Sequence, residues 1–211
     1  MLPKKYLSQS EVIASYASVD ILEGIGYVNF YPCAFKLSGS TTYGVAQSTS
    51  VVSGETVNKI VGAAGTETVT YDLTFNKPQS IKGKALLSYS LGSSGGVGGK
   101  GFTIVKLYKV SDATTQIGST LTSNISGDIV AANTIPVLMS FDMSDQVYIF
   151  KTGDKLRIEI YLSAVGGASS VSGYGHDPSA TADVTVGSEV AVILSTFTTR
   201  MTLSLPFILD L

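Results

Sequence analysis

The stretch Thr152-Gly153-Asp154-Lys155-Leu156-Arg157-Ile158-Glu159-Ile160-Tyr161-Leu162 decides the fold. Thr-Gly-Asp is a hairpin signal, because glycine enters positive φ without a Cβ clash. Behind it Leu156, Ile158, Ile160 and Leu162 alternate with Arg157, Glu159 and Tyr161. That is the period of a strand with one buried face, whereas a helix would space its apolar residues three and four apart.

The same pattern recurs outward from this point. Glu67 to Asn76 sets Val69, Tyr71, Leu73 and Phe75 on one face and Thr68, Thr70, Asp72 and Thr74 on the other. Phe102 to Val110 sets Phe102, Ile104 and the apolar parts of Lys106 and Tyr108 opposite Val105, Leu107 and Lys109. Tyr27 to Lys36 reads as a strand in which Pro32 marks an edge or a bulge. Further strands are expected over Thr42–Val52, Ser80–Leu91, Gln116–Ile125, Pro136–Met143, Val147–Phe150, Val190–Leu194 and Met201–Leu209, with Asp142-Met143-Ser144-Asp145 as a turn. Strands at roughly 10–20-residue spacing with turn chemistry between them predict an all-β fold, an antiparallel β-sandwich or jelly roll. The exception is Ser8-Gln9-Ser10-Glu11, which fits a capping box and is followed by Val12, Ile13, Tyr16 and Val19 at helical spacing. The expected organisation is a short N-terminal helix or arm over 1–24 and a single sandwich domain over 25–211.

Composition narrows the function classes. The chain has 211 residues, 14 basic and 16 acidic, for a net charge of −2, and only 14% of residues are charged, against about 25% in an average globular protein. With 44% hydrophobic residues it is no disordered chain. The acidic balance gives no electrostatic footprint for nucleic acid. One cysteine and one histidine leave no disulfide framework and no common zinc set. No apolar run of membrane-spanning length and no signal-peptide core are visible, so no membrane partner is expected. A surface made of serine, threonine, glycine and asparagine packs readily against another protein.

Motifs of chemical interest are few. Gly92-Ser93-Ser94-Gly95-Gly96 matches a nucleophile elbow on paper, but that motif needs a helix after the serine, and Val97-Gly98-Gly99-Lys100-Gly101 is unfit for one. The same run fails the phosphate-loop pattern at Ser94 and Gly101. His176, in Gly175-His176-Asp177-Pro178, could pair with its aspartate for catalysis or metal binding; turn chemistry explains the tetrapeptide more simply. Asp142, Asp145, Asp154 and Glu159 read as turn and surface carboxylates, not as a calcium loop or a hydrolytic pair. Eleven tyrosines keep glycan binding open, which would require two or three coplanar exposed rings. No catalytic residue, metal or cofactor is assigned, and the chain is read as non-enzymatic.

The two ends carry more information. Leu205-Pro206-Phe207-Ile208-Leu209 is apolar enough to need packing, as the last core strand with its tip at an interface. Tyr6, Leu7, Val12, Ile13 and Tyr16 make the N-terminal segment the second docking candidate. The interface candidates are therefore Tyr6, Leu7, Val12, Ile13, Tyr16, Leu205, Phe207, Ile208 and Leu209.

Four stretches carry a resemblance: Asp20-Ile21-Leu22-Glu23-Gly24-Ile25-Gly26-Tyr27-Val28-Asn29-Phe30-Tyr31, Phe150-Lys151-Thr152-Gly153-Asp154-Lys155-Leu156-Arg157-Ile158, Gly175-His176-Asp177-Pro178, and Leu205-Pro206-Phe207-Ile208-Leu209-Asp210. In style the chain resembles the head-decoration and minor capsid proteins of tailed, bacteriophage-like viruses. The resemblance implies a virion structural protein assembled in a host cytoplasm, a homo-oligomer, with capsid or other virion proteins as partners. A carbohydrate-binding jelly roll or a tail or baseplate adhesion component is the alternative.

Overall fold

The computed structural model describes residues 25–37, 39–50, 58–61, 65–94, 100–123, 133–165, 171–179 and 200–208. The helix expected after Ser8 and the strand expected over Val190–Leu194 lie outside them. Eleven strands occur among the described residues: β1 Ile25–Lys36, β2 Tyr43–Ala46, β3 Asn58–Val61, β4 Thr66–Thr74, β5 Gln79–Ser94, β6 Lys100–Val110, β7 Thr114–Thr122, β8 Asn133–Phe150, β9 Lys155–Val165, β10 Val171–Gly175 and β11 Thr202–Ile208. The fold is all-β, and no helix occurs among the described residues.

The strands form one curled, mixed sheet in the order β3-β10-β5-β11-β1-β2-β4-β9-β6-β7, with β8 added on β5. It makes two layers. The front layer holds β8, β5, β11, β10, β3 and the first half of β1. The back layer holds the second half of β1, then β2, β4, β9, β6 and β7. The strand β1 passes from one to the other: Ile25 to Phe30 pair with β11, and Tyr31 to Lys36 pair with β2. The crossing falls at Pro32, where the register with β2 shifts between Pro32 and Lys36, so the proline marks the expected irregularity. All pairings are antiparallel except β2 with β4.

The inner faces follow the alternation. Leu156, Ile158, Ile160 and Leu162 of β9 are fully buried, beside Val69, Tyr71 and Leu73 of β4 and Val105 and Leu107 of β6. Opposite them lie Ile81, Ala85, Leu87, Tyr89 and Leu91 of β5, Val137, Met139, Phe141 and Met143 of β8, and Leu203, Leu205 and Phe207 of β11. Each large side chain removed from water contributes about 1.5–3 kcal/mol before conformational entropy is counted. The turn before β9 forms as its residues dictate. Gly153 has φ of 90°, Lys151 N donates to Asp154 Oδ2 at 2.9 Å, and the turn docks on β4 through Gly153 N to Phe75 O at 2.8 Å.

Three expectations need correction. Residues 136–143 and 147–150 are parts of one strand, β8, not two strands about a turn. The Asp142 turn exists locally, with Ser144 N donating to Asp142 Oδ1 at 3.0 Å. It is absorbed as a bulge, because Ile81 pairs with Tyr148 while Gly83 pairs with Met143. The second strand stops at Ala46 instead of reaching Val52. The short strands β3 and β10 were not anticipated; they are four and five residues long, too short for a pattern of period two to stand out.

Candidate functional site

A buried cluster of one histidine and three tyrosines gathers at the end of β10. His176 follows β10 directly and is fully buried. Three tyrosine rings surround it: Tyr43 from β2 at 5.3 Å between centroids, Tyr71 from β4 at 5.6 Å and edge-on, and Tyr174 from β10 at 6.3 Å. Tyr71 Oη and His176 Nδ1 share a hydrogen bond of 2.7 Å, and Tyr71 Oη also lies 3.4 Å from Tyr174 Oη. Tyr71 carries a single proton, so it accepts in at least one of these contacts.

Local sequence explains the placement. The inward alternation of β4 aims Tyr71 into the core, and the parallel pairing of Tyr43 with Tyr71 sets their rings 5.7 Å apart on one face. Asp177 turns the chain after the histidine by accepting from Ser179 N at 3.0 Å and Ser179 Oγ at 2.7 Å. Arg200 anchors this turn by donating to Pro178 O at 2.7 Å, and its guanidinium lies 6.0 Å from the Tyr31 ring. Cys33 is buried nearby and donates to Tyr31 O at 3.2 Å.

The electrostatics keep Tyr71, Tyr174 and Cys33 neutral. Burial pushes the Tyr71 phenol well above its ordinary value of 10.0, with the neighbouring Tyr174 adding to the rise. Burial likewise raises Tyr174. The Cys33 thiol is pushed up to about 11, by burial first and then the Asp177 charge, against the opposing backbone hydrogen bond from Ala46. A phenol and a thiol held protonated at neutral pH serve as hydrogen-bond and packing groups, not as nucleophiles. The cluster ties β2, β4 and β10 together across both layers.

A second charged constellation was missed. Asp72 belongs to the outward alternation of β4 and was expected in water, yet its side chain is 1% exposed. Arg157, its register partner on β9, donates from Nε to Oδ1 at 2.7 Å and from Nη2 to Oδ2 at 2.9 Å, and Lys155 Nζ lies 3.6 Å away. The Asp72 hydrogen bond holds the Arg157 guanidinium above its ordinary value. Cross-strand pairing of an aspartate and an arginine was the available signal, but it needed the register.

The other candidates disperse. Ser94 ends β5 and the next described element is the strand β6, and the residues of the elbow motif after Ser94 lie outside the described ones. Asp142 and Asp145 are exposed on β8, Asp154 sits in the turn before β9, and Glu159 accepts from Tyr108 Oη at 3.5 Å. No group of three His, Cys, Asp or Glu side chains capable of holding a metal occurs among the described residues. Tyr43, Tyr71, Tyr89 and Tyr174 are buried, and Tyr27, Tyr31, Tyr108, Tyr148 and Tyr161 are half-buried. Of the interface candidates, Leu205 and Phe207 are buried in the chain's own core, as part of the last core strand. Ile208 is half-buried, while Tyr6, Leu7, Val12, Ile13, Tyr16 and Leu209 lie outside the described residues.

No protein-family model and no curated protein matches the sequence. Among solved structures, the chain is similar to a CocE/NonD family hydrolase from Staphylococcus aureus, at 10% identity and a TM-score of 0.48, over 92% of this chain and 38% of that one. It is also similar to an aminopeptidase from a marine-sediment Thaumarchaeota archaeon, at 10% identity and a TM-score of 0.40, over 67% of this chain and 26% of that one. A third likeness is to infectious bursal disease virus, Gt strain, at 11% identity and a TM-score of 0.29, over 84% of this chain and 41% of that one. The chain thus spans well under half the length of each. Superpositions this loose fix neither a family nor an activity.

Proposed function

We propose that the chain is a non-enzymatic structural subunit of a virus particle, a capsid-associated component that stabilises its assembly by contact between subunits. The observation that carries this reading is the contrast between interior and skin. His176 is buried, and the phenols of Tyr71 and Tyr174 and the thiol of Cys33 are locked inside as neutral packing groups. Meanwhile large apolar side chains stand in water on one face, led by Leu138 at 71% exposure. Such a body acts mechanically, by burying apolar surface and its terminal segments against neighbours, and symmetry multiplies each contact.

The test is light scattering and capsid co-sedimentation of the purified chain. A symmetric oligomer, or binding to empty capsids, is expected. A monodisperse monomer that ignores capsids would overturn the role. A glycan-binding role is the second reading, favoured by the outer face of the back layer, where Phe102 and Tyr161 lie 6.4 Å apart beside Tyr108, Arg157 and Glu159. A glycan screen in which Tyr108→Ala and Tyr161→Ala abolish a signal would support it.

A further inference from the structure

The phenols of the body meet different partners. Tyr89 Oη meets the hydroxyl of Thr103, and Tyr108 Oη reaches Glu159 Oε1 at 3.5 Å. Tyr71 Oη instead meets a ring nitrogen, His176 Nδ1, at 2.7 Å. It also lies 3.4 Å from Tyr174 Oη, so the nitrogen is both the closer and the more basic of its two neighbours. Tyr71 and His176 are fully buried.

Oxidation gives that contact a consequence. A phenol that loses one electron becomes a strong acid, so its proton leaves with the electron. At a surface water takes the proton, but in a core a protein base must. An imidazole nitrogen at hydrogen-bond distance is such a base. Burial holds the phenols of Tyr71 and Tyr174 protonated, so at neutral pH they do not lose the proton alone.

Electrons have a route away from this point. The Tyr43 and Tyr71 rings are 5.7 Å apart, Tyr174 meets Tyr71 through the hydroxyls, and the Tyr89 ring is 5.9 Å from that of Tyr174. The series Tyr43–Tyr71–Tyr174–Tyr89 draws on β2, β4, β10 and β5, so it runs across both layers. Tyr43, 8% exposed, is its most exposed member. Asp177 follows the histidine directly, so a carboxylate accompanies any positive charge that forms on the ring.

We propose that Tyr71 and His176 form a proton-coupled redox pair, where an oxidising equivalent that enters the body comes to rest as a neutral tyrosyl radical. The reaction takes a one-electron oxidant of the oxygen-radical class, such as carbonate radical. The O–H bond of Tyr71 breaks and an N–H bond forms at His176 Nδ1. The electron passes along the series to the oxidant, which is reduced by one electron. A phenoxyl radical and an imidazolium remain, one positive charge for the one electron lost. A one-electron reductant such as ascorbate reverses the step, returning the electron to the oxygen and the proton from Nδ1. This activity goes beyond the assembly role and does not depend on it.

The experiment uses the full chain, photo-oxidised with ruthenium tris(bipyridine) and persulfate, frozen, and read by electron paramagnetic resonance. His176 is the only histidine, so nitrogen-15 histidine labels one ring alone. A tyrosyl radical is expected that couples to the labelled nitrogen and to a proton lost in heavy water. His176→Phe should lower the amount of long-lived radical about 10- to 100-fold, the worth of a hydrogen bond to a charged group. Tyr148→Phe, in β8, should leave it unchanged. Circular dichroism checks that the variants fold; should His176→Phe not fold, the labelled wild-type spectrum decides alone. A radical without coupling to that nitrogen, a signal lost in Tyr148→Phe, or a yield unmoved in folded His176→Phe would overturn the pair and leave the assembly role standing.

Discussion

Replacing Arg157 by methionine tests the electrostatics of the back layer most sharply. Methionine keeps much of the apolar stem and removes the guanidinium, so packing changes little. What remains is the Asp72 carboxylate, 1% exposed, with only Lys155 at 3.6 Å. Removing one partner of a fully buried pair costs about 3–5 kcal/mol. Here Arg157 is 28% exposed and Lys155, 39% exposed, still offers a screened charge, so about 2–3 kcal/mol is expected. The reverse change, Asp72→Ala, leaves a cation that can hydrate, and about 1–2 kcal/mol is expected. The double variant should cost about 2 kcal/mol, giving a coupling energy of roughly 1–3 kcal/mol. Urea denaturation followed by tyrosine fluorescence reads all four corners, since the chain has no tryptophan. For a chain of this length the Arg157→Met melting point should fall by about 4–12 °C. The inequality is the signature: the arginine variant must lose more than the aspartate variant. Equal losses, or a coupling energy indistinguishable from zero, would show that Asp72 is hydrated and the pair ornamental.

Three further outcomes follow from the buried cluster and the turn before β9. Tyr71→Phe keeps the ring and deletes the oxygen 2.7 Å from His176 Nδ1; a loss of about 1–3 kcal/mol is expected in urea denaturation, and a loss below about 0.5 kcal/mol would mean that ring packing alone holds the cluster. Cys33, raised from 9.0 to about 11, should react with a disulfide reagent at pH 8 at least ~100-fold more slowly in the native chain than in urea; equal rates would refute its burial. Asp154 is held below its ordinary 3.8, first by the Lys151 backbone hydrogen bond and then by Lys109. Its contribution is present above pH 3.8 and is lost as pH falls through the lowered native value. The melting-point gap between wild type and Asp154→Ala should therefore be constant near neutrality and close below pH 3.8, and a gap that widens with acid would contradict the assignment.

The sequence made the middle of the fold legible wherever one face is dry and the other wet. Leu156 to Leu162 and Val69 to Phe75 announced their inward faces because nothing else in the local chain competed with the alternation. Legibility failed where a distant partner changed the meaning of a residue. Asp72 looked like a solvent-facing member of its strand until Arg157, 85 positions later, covered it. His176 looked like one corner of a turn, which its Asp-Pro neighbour does help to make. Its burial depends on Tyr71, 105 positions earlier, and on a β2–β4 pairing that no local pattern encodes. The faint signal was Tyr174 two residues before the only histidine, the spacing that sends two side chains to one side of an extended segment, here across the end of β10. Asp142-Met143-Ser144-Asp145 read as a chain reversal because its hydrogen bond is that of a turn; the long ladder with β5 on both sides made it a kink instead.

The placement of β1 has a mechanical consequence. Its first half lies antiparallel to β11 with Ile25 opposite Ile208, so the start of β1 and the end of β11 form the first rung of the ladder. Tension pulling the two terminal segments apart would unzip that ladder one rung at a time, whereas tension along the axis of β1 alone loads all six rungs from Ile25 to Phe30 in shear and passes through Pro32 into the other layer. Load applied along β1 is thus shared between six rungs and both layers instead of falling on one rung at a time.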